Sequence, residues 1–520
     1  METNQNTRDG RNKSLWQQNT ETIGEKNVFD PTITYDVLIV GAGITGLTTA
    51  FLLQKAGLQC IIAEAHNPGY GTTGGTTAHI NTFADTTFAE VESAFSAEAA
   101  TQFAESIAES VQLIHELVET CHIDCDFAWK KAYVYSQNKK ETGELDDIFE
   151  SAVRVGVEVS ETKAVPINLE FQKAIVFDHN AQFHPLKYIR GLQNHFYNLG
   201  GVLLENTLID DIKSVGGTHM ASAASVQIKA KKVIYATHIP PGVVNVLHFR
   251  NAPYRSYVIA ATLEKDQYPD ALVYDMQEPY HYFRTHTIDG QKYLVAGGHD
   301  HKTGHSDPEQ AFTDLINYAK LCYPIKDIFT QWSAQYYVPA DGLPYIGQLP
   351  GASDGIYTAT GFNGNGMILG TVSAMVLSDL ILQGESEYEN LYDPARIKPV
   401  AGFSEIVKEG ADVVARFIGD RFGLEKIESV SQLQPDSGEI VEFEGQKLAI
   451  YKDSFDQVKA LDPVCTHSKC IVHWNNSEKS WDCPCHGARF DTDGKVMTGP
   501  AREDLRVVDI QVPSDPYFFL

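Results

Sequence analysis

Apolar residues run unbroken through "VLIV" from Val37, stop at a glycine-rich turn, and resume at helical spacing. The stretch "YDVLIVGAGITGLTTAFLLQKAGLQCIIAE" (residues 35–64) predicts strand, glycine turn, helix and strand. Its continuous first run is that of a strand buried on both faces of a parallel sheet. Helical spacing dominates residues 86–120, and short strand-like runs such as "KAYVYS" and "KAIVF" follow, mixed with helices. Lys231–His238, "KKVIYATH", predicts another buried strand that ends at a loop, and Tyr280–Gly298 a hairpin turning at Asp289 and Gly290. The most apolar long window, Gly366–Gly384, contains Ser373, Ser378 and Asp379 and predicts a buried helix, not a membrane span. After Gly384 the pattern changes: a polar linker with two prolines, an amphipathic helix over Ser404–Phe422 closed by Gly423, then short alternating strands from about residue 425.

These patterns divide the chain into a polar tail (1–30), an α/β unit (31–385), a linker with a helix (386–424) and a small all-β domain (425–520). At 520 residues the chain is too long for one core, and its 43% hydrophobic and 21% charged residues are those of an ordinary globular protein. The net charge of −27 disfavours nucleic acid and anionic lipid as partners, because both carry the same sign. The first 30 residues hold no apolar signal segment, and Cys60, Cys121, Cys125 and Cys322 are scattered singly, as core thiols kept reduced. The expectation is a cytoplasmic protein without an integral membrane anchor.

The glycine turn carries the first chemistry. Gly41, Gly43 and Gly46 form G-x-G-x-x-G between strand and helix, and Glu64 closes the second strand. Gly41 permits the tight turn, Gly43 lets backbone approach a pyrophosphate, and Gly46 allows close helix–strand packing. The helix N-terminus favours the phosphate charge, and Glu64 can accept from a ribose hydroxyl. Only one such motif is present, which favours FAD over a nicotinamide dinucleotide.

Residues 35–385 resemble the flavin amine-oxidase family that includes D-amino-acid oxidase, glycine oxidase and sarcosine oxidase. The likeness rests on the opening glycine motif, on "YGTTGGTTAHI" (Tyr70–Ile80), on "IYATH" (Ile234–His238) and on the segment Trp332–Gly370. It implies FAD-binding parts over about 31–90, 165–245 and 335–385, and substrate parts over about 91–164 and 246–334. It also implies Gly364, Gly366 and Met367 beside the flavin ring, Thr76 and Thr77 near its phosphates or ring, and Thr237 at the cofactor loop. At that loop the family's Ala-Thr-Gly is here Ala236-Thr237-His238. His79 lines up with the histidine that dimethylglycine dehydrogenase-like enzymes bond covalently to flavin, so it is expected either to form that bond or simply to touch the ring. Arg284 is a candidate bidentate clamp for a substrate carboxylate, the alternative being an ordinary surface arginine on a strand. Tyr280, His281 and Tyr282 share that choice. His299, His301 and His305 read as a solvated loop in preference to a metal site.

Four of the eight cysteines fall with two histidines inside residues 465–486. Cys465-x-His467 and Cys483-x-x-His486 each place a thiolate and an imidazole on one loop. Such a set suits tetrahedral zinc, or a [2Fe–2S] cluster with two thiolates on one iron and two imidazoles on the other. The region from about 425 to 520 resembles Rieske proteins of the cytochrome bc type, whose boxes read C-T-H-x-x-C and C-P-C-H-G, and Gly499-Pro500-Ala501 matches their proline loop. The resemblance implies Cys465, His467, Cys483 and His486 as cluster ligands and a Cys470–Cys485 disulfide. Ala488 and Phe490 stand where high-potential members carry Ser and Tyr hydroxyls, which implies a lowered potential.

A flavin takes electrons in pairs and a Rieske cluster carries them singly. The expected function is an amine or amino-acid dehydrogenase whose electrons leave through the cluster to a one-electron acceptor. The alternatives are a reductase or monooxygenase fed through the cluster by an external donor, and a redox carrier or sensor without catalysis.

Overall fold

The glycine turn leaves the carboxyl end of Thr34–Val40, a central strand of an eight-stranded sheet. Parallel neighbours Cys60–Ala63 and Val226–Tyr235 flank it, and Val202–Leu204, Ile356–Thr360 and Tyr345–Gln348 extend the two sides. Val37, Leu38 and Ile39 are fully buried, as the unbroken apolar run requires. Two helices, Ile44–Lys55 and Gly366–Leu382, pack together beneath the turn. The structure is a computed structural model and describes residues 8–17, 26–397 except 225 and 243, and 432–510. The helix expected over Ser404–Phe422 lies outside the described residues. Among those described, no helix is long and apolar enough to cross a membrane.

A second, nine-stranded mixed sheet stands against the first. It runs from the edge strand Ile325–Pro339 through Asn251–Leu263, Gln291–Lys302, His281–Ile288 and Leu272–Asp275 to Ala128–Ser136, Lys173–Gln182 and His79–Ile80. The hairpin turns where expected, with Asp289 and Gly290 at φ +49° and +79°, the pair of left-handed residues that matches strand twist. Two expectations need correction. Lys173–Gln182, assigned above to an FAD-binding part, pairs with Ala128–Ser136 in the second sheet, so that part begins later. His299, Asp300 and His301 belong to the strand Gln291–Lys302, not to a solvated loop.

The small domain holds a three-stranded sheet (Ser437–Phe443, Gln446–Lys452, Val458–Leu461) and a four-stranded one (His473–Asn475, Ser480–Asp482, Arg489–Phe490, Val496–Thr498). It docks on the edge strand Ile325–Pro339 through six buried charges. Arg8 meets Glu478 at 3.2 Å, Arg489 meets Asp482 at 2.9 Å and Asp9 at 3.2 Å, and Arg255 lies 3.9 Å from Asp482. Glu478 also accepts from the backbone and hydroxyl of Ser333, at 2.9 and 2.8 Å. Arg8 and Asp9 come from the stretch expected as a polar tail. That expectation fails for residues 8–17, which fill the seam between the domains, with Leu15 and Trp16 buried against Val258 and Trp332.

Burial alone would raise the carboxyls of Asp9, Glu478 and Asp482, but the guanidinium groups more than reverse it and hold all three below the ordinary range. Depressed carboxyls stabilise the docked state at neutral pH, and that contribution fades as pH falls below about 4. Removing one charge strands its partner without solvent. Glu478→Ala is therefore expected to cost about 3–5 kcal/mol, read as a lowered thermal midpoint of the small domain.

Candidate active site

Between the two large sheets lies a cavity of about 870 Å³. It is lined by Gly41, Gly43 and Glu64 at one end and by Thr76, Thr77, His79, Thr237, Gly364, Gly366 and Met367 further along. Gly46 does not reach the cavity; a Cβ there would sit 2.0 Å from the Gly41 carbonyl oxygen, so it serves the helix–strand packing expected of the third glycine. Glu64 accepts from the amides of Ala42 and His66, both at 2.8 Å, which fixes its carboxylate at the turn with acceptor capacity left for a ligand hydroxyl. A Cβ on Gly366 would meet nothing within 4 Å, so the start of its helix faces open space. His238, at the position where the resemblance implies glycine, holds the left-handed φ of +68°, and its ring packs on Tyr337 at 4.7 Å. Turn, acid and open helix start fit a dinucleotide such as FAD.

Arg284 is not in that cavity. It is fully buried and donates to the carbonyls of Thr77 and Ala78, both at 2.7 Å, and of Phe183 at 3.3 Å. Neither the substrate clamp nor the surface arginine survives: its two terminal nitrogens are engaged by these carbonyls and by His286 Nδ1 at 2.6 Å, so it props the cofactor loop. Trp16 and Trp332 support the same loop, their ring N–H groups donating to Thr76 O at 2.6 Å and Gly75 O at 2.7 Å. Ala78, at φ +56°, is held by these props in the left-handed region. His281 is likewise engaged, its Nδ1 at 2.7 Å from Asp275.

The far wall of the cavity is tyrosine and carboxylate: Tyr274, Tyr280, Tyr282, Tyr336, Asp85 and Asp300. His79 stands among them, with Nδ1 2.8 Å from the Tyr274 hydroxyl and Nε2 buried without a partner. Tyr274 donates its one proton to Asn81 Oδ1 at 2.9 Å, so Nδ1 of His79 carries the hydrogen and Nε2 keeps a lone pair. Apart from Tyr280 and Tyr282, this wall went unread in the sequence, because Asp85 comes from a loop and Tyr274, Asp300 and Tyr336 from three different strands, with no shared spacing.

In the small domain the two cysteine–histidine loops are near copies. The Lys469 amide donates to Cys465 O and the Gly487 amide to Cys483 O, both at 3.0 Å, and Lys469 and Gly487 both adopt left-handed φ, +64° and +74°. Cys470 and Cys485 form a buried disulfide joining the loops. Their sulfurs lie within 4.8 Å of that of Cys483, but bonded to each other they are spent as ligands. His467 and His486 stand 5.1 Å apart, and both ring nitrogens of His467 and Nε2 of His486 are buried without partners. Burial pulls these imidazoles down to about 4 and about 3, keeping them in the neutral form that can ligate. Two thiols and two orphaned imidazoles in paired loops fit the Rieske [2Fe–2S] cluster, in which sulfur and nitrogen ligands fall on different irons.

The two centres meet. Tyr337 lines the cavity and donates from its hydroxyl to the carbonyl of His486 at 2.9 Å. Gln335 donates from its side-chain amide to Gly487 O at 2.9 Å. His248 and Phe249 of the large domain cover the ligand rings, His248 at 4.7 Å from His467 and Phe249 at 5.9 Å from His486.

Comparison with known proteins agrees with this geometry. Residues 36–380 match the FAD dependent oxidoreductase family, DAO, and residues 424–509 the Rieske [2Fe-2S] domain. The chain belongs to that oxidoreductase family, binds FAD and carries a C-terminal Rieske domain with its [2Fe–2S] cluster; it is an enzyme of the amine or amino-acid oxidase type. The Rieske 2Fe-2S iron-sulfur protein YhfW of Bacillus subtilis is 32% identical over 481 residues, covering 91% of this chain and 93% of its own length. Gamma-glutamylputrescine oxidoreductase of Escherichia coli is 22% identical, over 69% of this chain and 86% of its own. In fold, glycine oxidase from Geobacillus kaustophilus superposes with a TM-score of 0.60 at 18% identity, covering 70% of this chain and all of that one.

Ala488 and Phe490 are fully buried and offer no side-chain donor to the cluster sulfurs. Hydrogen bonds to sulfur favour the reduced, more negative cluster, so their lack lowers the potential. A redox titration is expected to fall in the lower half of the range of about −150 to +300 mV, and Ala488→Ser to raise the value.

Proposed function

We propose that this chain oxidises an amine or amino acid at the tyrosine-lined end of the cavity and passes the electrons through its Rieske domain to an external one-electron acceptor. When bound, FAD supplies the two-electron chemistry and the cluster the one-electron release. The observation that carries the reading is the Tyr337 hydroxyl on the His486 carbonyl, because one side chain spans from the cavity to a ligand loop. Covering of the ligand rings by His248 and Phe249 supports the same direction: the histidine edge of the cluster site is turned toward the large domain. Transfer within one chain needs no second subunit. The free cysteines are all buried, in keeping with a reducing compartment, and the cytoplasm is the location proposed.

Cofactor attachment is part of the proposal. The orphaned Nε2 of His79, with its lone pair in the cavity wall, would hold flavin covalently by replacing a hydrogen on a ring methyl group, the imidazole releasing its proton and the flavin keeping the electron pair until it is reoxidised. Flavin is expected to stay with the acid-precipitated protein and to be released from His79→Ala.

The electron route is tested by anaerobic mixing with amines and amino acids. Flavin absorbance should bleach first and the EPR signal of the reduced cluster rise second. In Tyr337→Phe the second step should slow roughly tenfold relative to the first, about 1.4 kcal/mol in barrier. Bleaching that leaves the cluster oxidised, or cluster and flavin reduction only by an external reduced carrier, would rule the outward route out.

A further inference from the structure

We propose that Asp300 and the tyrosines around it form a recognition site for a cationic amine that carries no carboxylate beside its nitrogen. The proposal rests on the amine-oxidising reading of the same cavity and narrows its substrate class.

Asp300 projects into the cavity from the strand Gln291–Lys302. Its Oδ2 accepts from the Tyr336 hydroxyl at 2.8 Å, its Oδ1 is buried, and the Ser256 hydroxyl lies near enough to hydrogen-bond the same carboxyl, so only neutral hydroxyls face it. Burial pushes this carboxyl up to about 7 despite the opposing hydroxyls of Ser256 and Tyr336, and the neighbouring Asp85 and Glu278 push it the same way as burial. A carboxylate so placed lacks a counter-ion, and a ligand ammonium supplies one. Asp85 adds a second acid to the wall, with Oδ2 fixed by the Gly364 amide at 2.8 Å.

The rings complete the site. Tyr280 and Tyr282 lie 5.6 Å apart, and Tyr282 stands 5.4 Å from His79. The Tyr282 hydroxyl is tethered to Ser256 at 2.8 Å, which fixes its ring in the cavity wall. Burial keeps these phenols protonated, so their faces attract a cation while contributing no charge.

Among the described residues, the tyrosine and carboxylate wall offers a carboxylate no lysine or arginine. Arg502 is the only lysine or arginine among the described residues lining the cavity. It belongs to the small domain and donates to the carbonyls of Asp210 and Pro241, on the side of Glu64, whose own carbonyl accepts from Thr207 at 2.8 Å. Arg284, the other candidate, is spent on the cofactor loop. An α-amino acid would therefore set its carboxylate against Asp300 and Asp85 in a low dielectric, whereas a monoamine or diamine brings only the charge the wall lacks.

The test uses the holoenzyme and tetramethylammonium, a cation that cannot be dehydrogenated, with acetate as the anionic control. Titration calorimetry and the visible flavin spectrum should show tetramethylammonium binding and acetate silent. Asp300→Asn, which keeps an acceptor for Tyr336, should weaken the cation roughly tenfold, and Tyr336→Phe should weaken it less. Under anaerobic mixing, 1,4-diaminobutane should bleach the flavin faster than glycine or D-alanine. Cation affinity within about twofold of wild type in Asp300→Asn, or bleaching by amino acids and not by amines, would overturn the site. Asp300-dependent cation binding with no bleaching by any amine or amino acid would uphold the site and overturn the oxidation reading instead.

Discussion

The period of two along a single strand organises both halves of this protein. In Ile325–Pro339, successive side chains point to opposite faces. Trp332, Ala334 and Tyr336 face inward: Trp332 holds the cofactor loop at Gly75, Ala334 packs on the same glycine, and Tyr336 holds Asp300. Ser333, Gln335 and Tyr337 lie on the other face and meet Glu478, Gly487 and His486 of the small domain, while Gln335 and Tyr337 also border the end of the cavity nearest that domain. The neighbouring strand Asn251–Leu263 follows the same rule, with Ser256 and Val258 on the cavity and Arg255 toward Asp482. A slip of one residue would exchange every one of these partners. The register of one edge strand thus sets the spacing between flavin cavity and cluster loops.

An edge strand is an unpaired template, and here its exposed side is covered instead of left bare. The cover is the small domain with the buried segment 8–17, and the charge lattice supplies its specificity. Three arginines and three acids balance within a nearly dry seam. Such a lattice contributes less to net stability than its contacts suggest, because each ion loses its hydration, yet it penalises any misplacement heavily. That asymmetry suits a joint whose purpose is position. The same segment carries Trp16, whose indole holds Thr76, so docking of the small domain and shape of the cofactor loop share one piece of chain.

The sequence disclosed what is local and left hidden what is assembled across distance. The glycine turn and the two cysteine–histidine boxes are legible because each is a contiguous motif whose chemistry demands fixed spacing. The Asp289–Gly290 turn is legible for the same reason. Arg284 was misread because its residue type suits a carboxylate equally well as it suits three backbone carbonyls, and only burial separates the two. Residues 8–17 read as tail because Arg8, Asp9 and Arg11 are polar; their partners Glu478, Arg489 and Asp436 lie more than 400 positions away. Asp300 hid between two histidines whose spacing drew attention to metal chemistry.

Why one chain would hold both centres follows from the seam. If the Rieske domain were a separate, diffusing partner, its histidine edge would need to be open for encounter. Here that edge is packed on His248 and Phe249, and Gly242 and Pro500 join across the same contact by a backbone hydrogen bond of 3.1 Å. The large domain already occupies that edge, so an outside partner of either kind must meet the small domain elsewhere. On the proposed outward route, electrons from substrate would have a fixed inlet at the cluster, and exchange with an outside acceptor would use another face of the small domain.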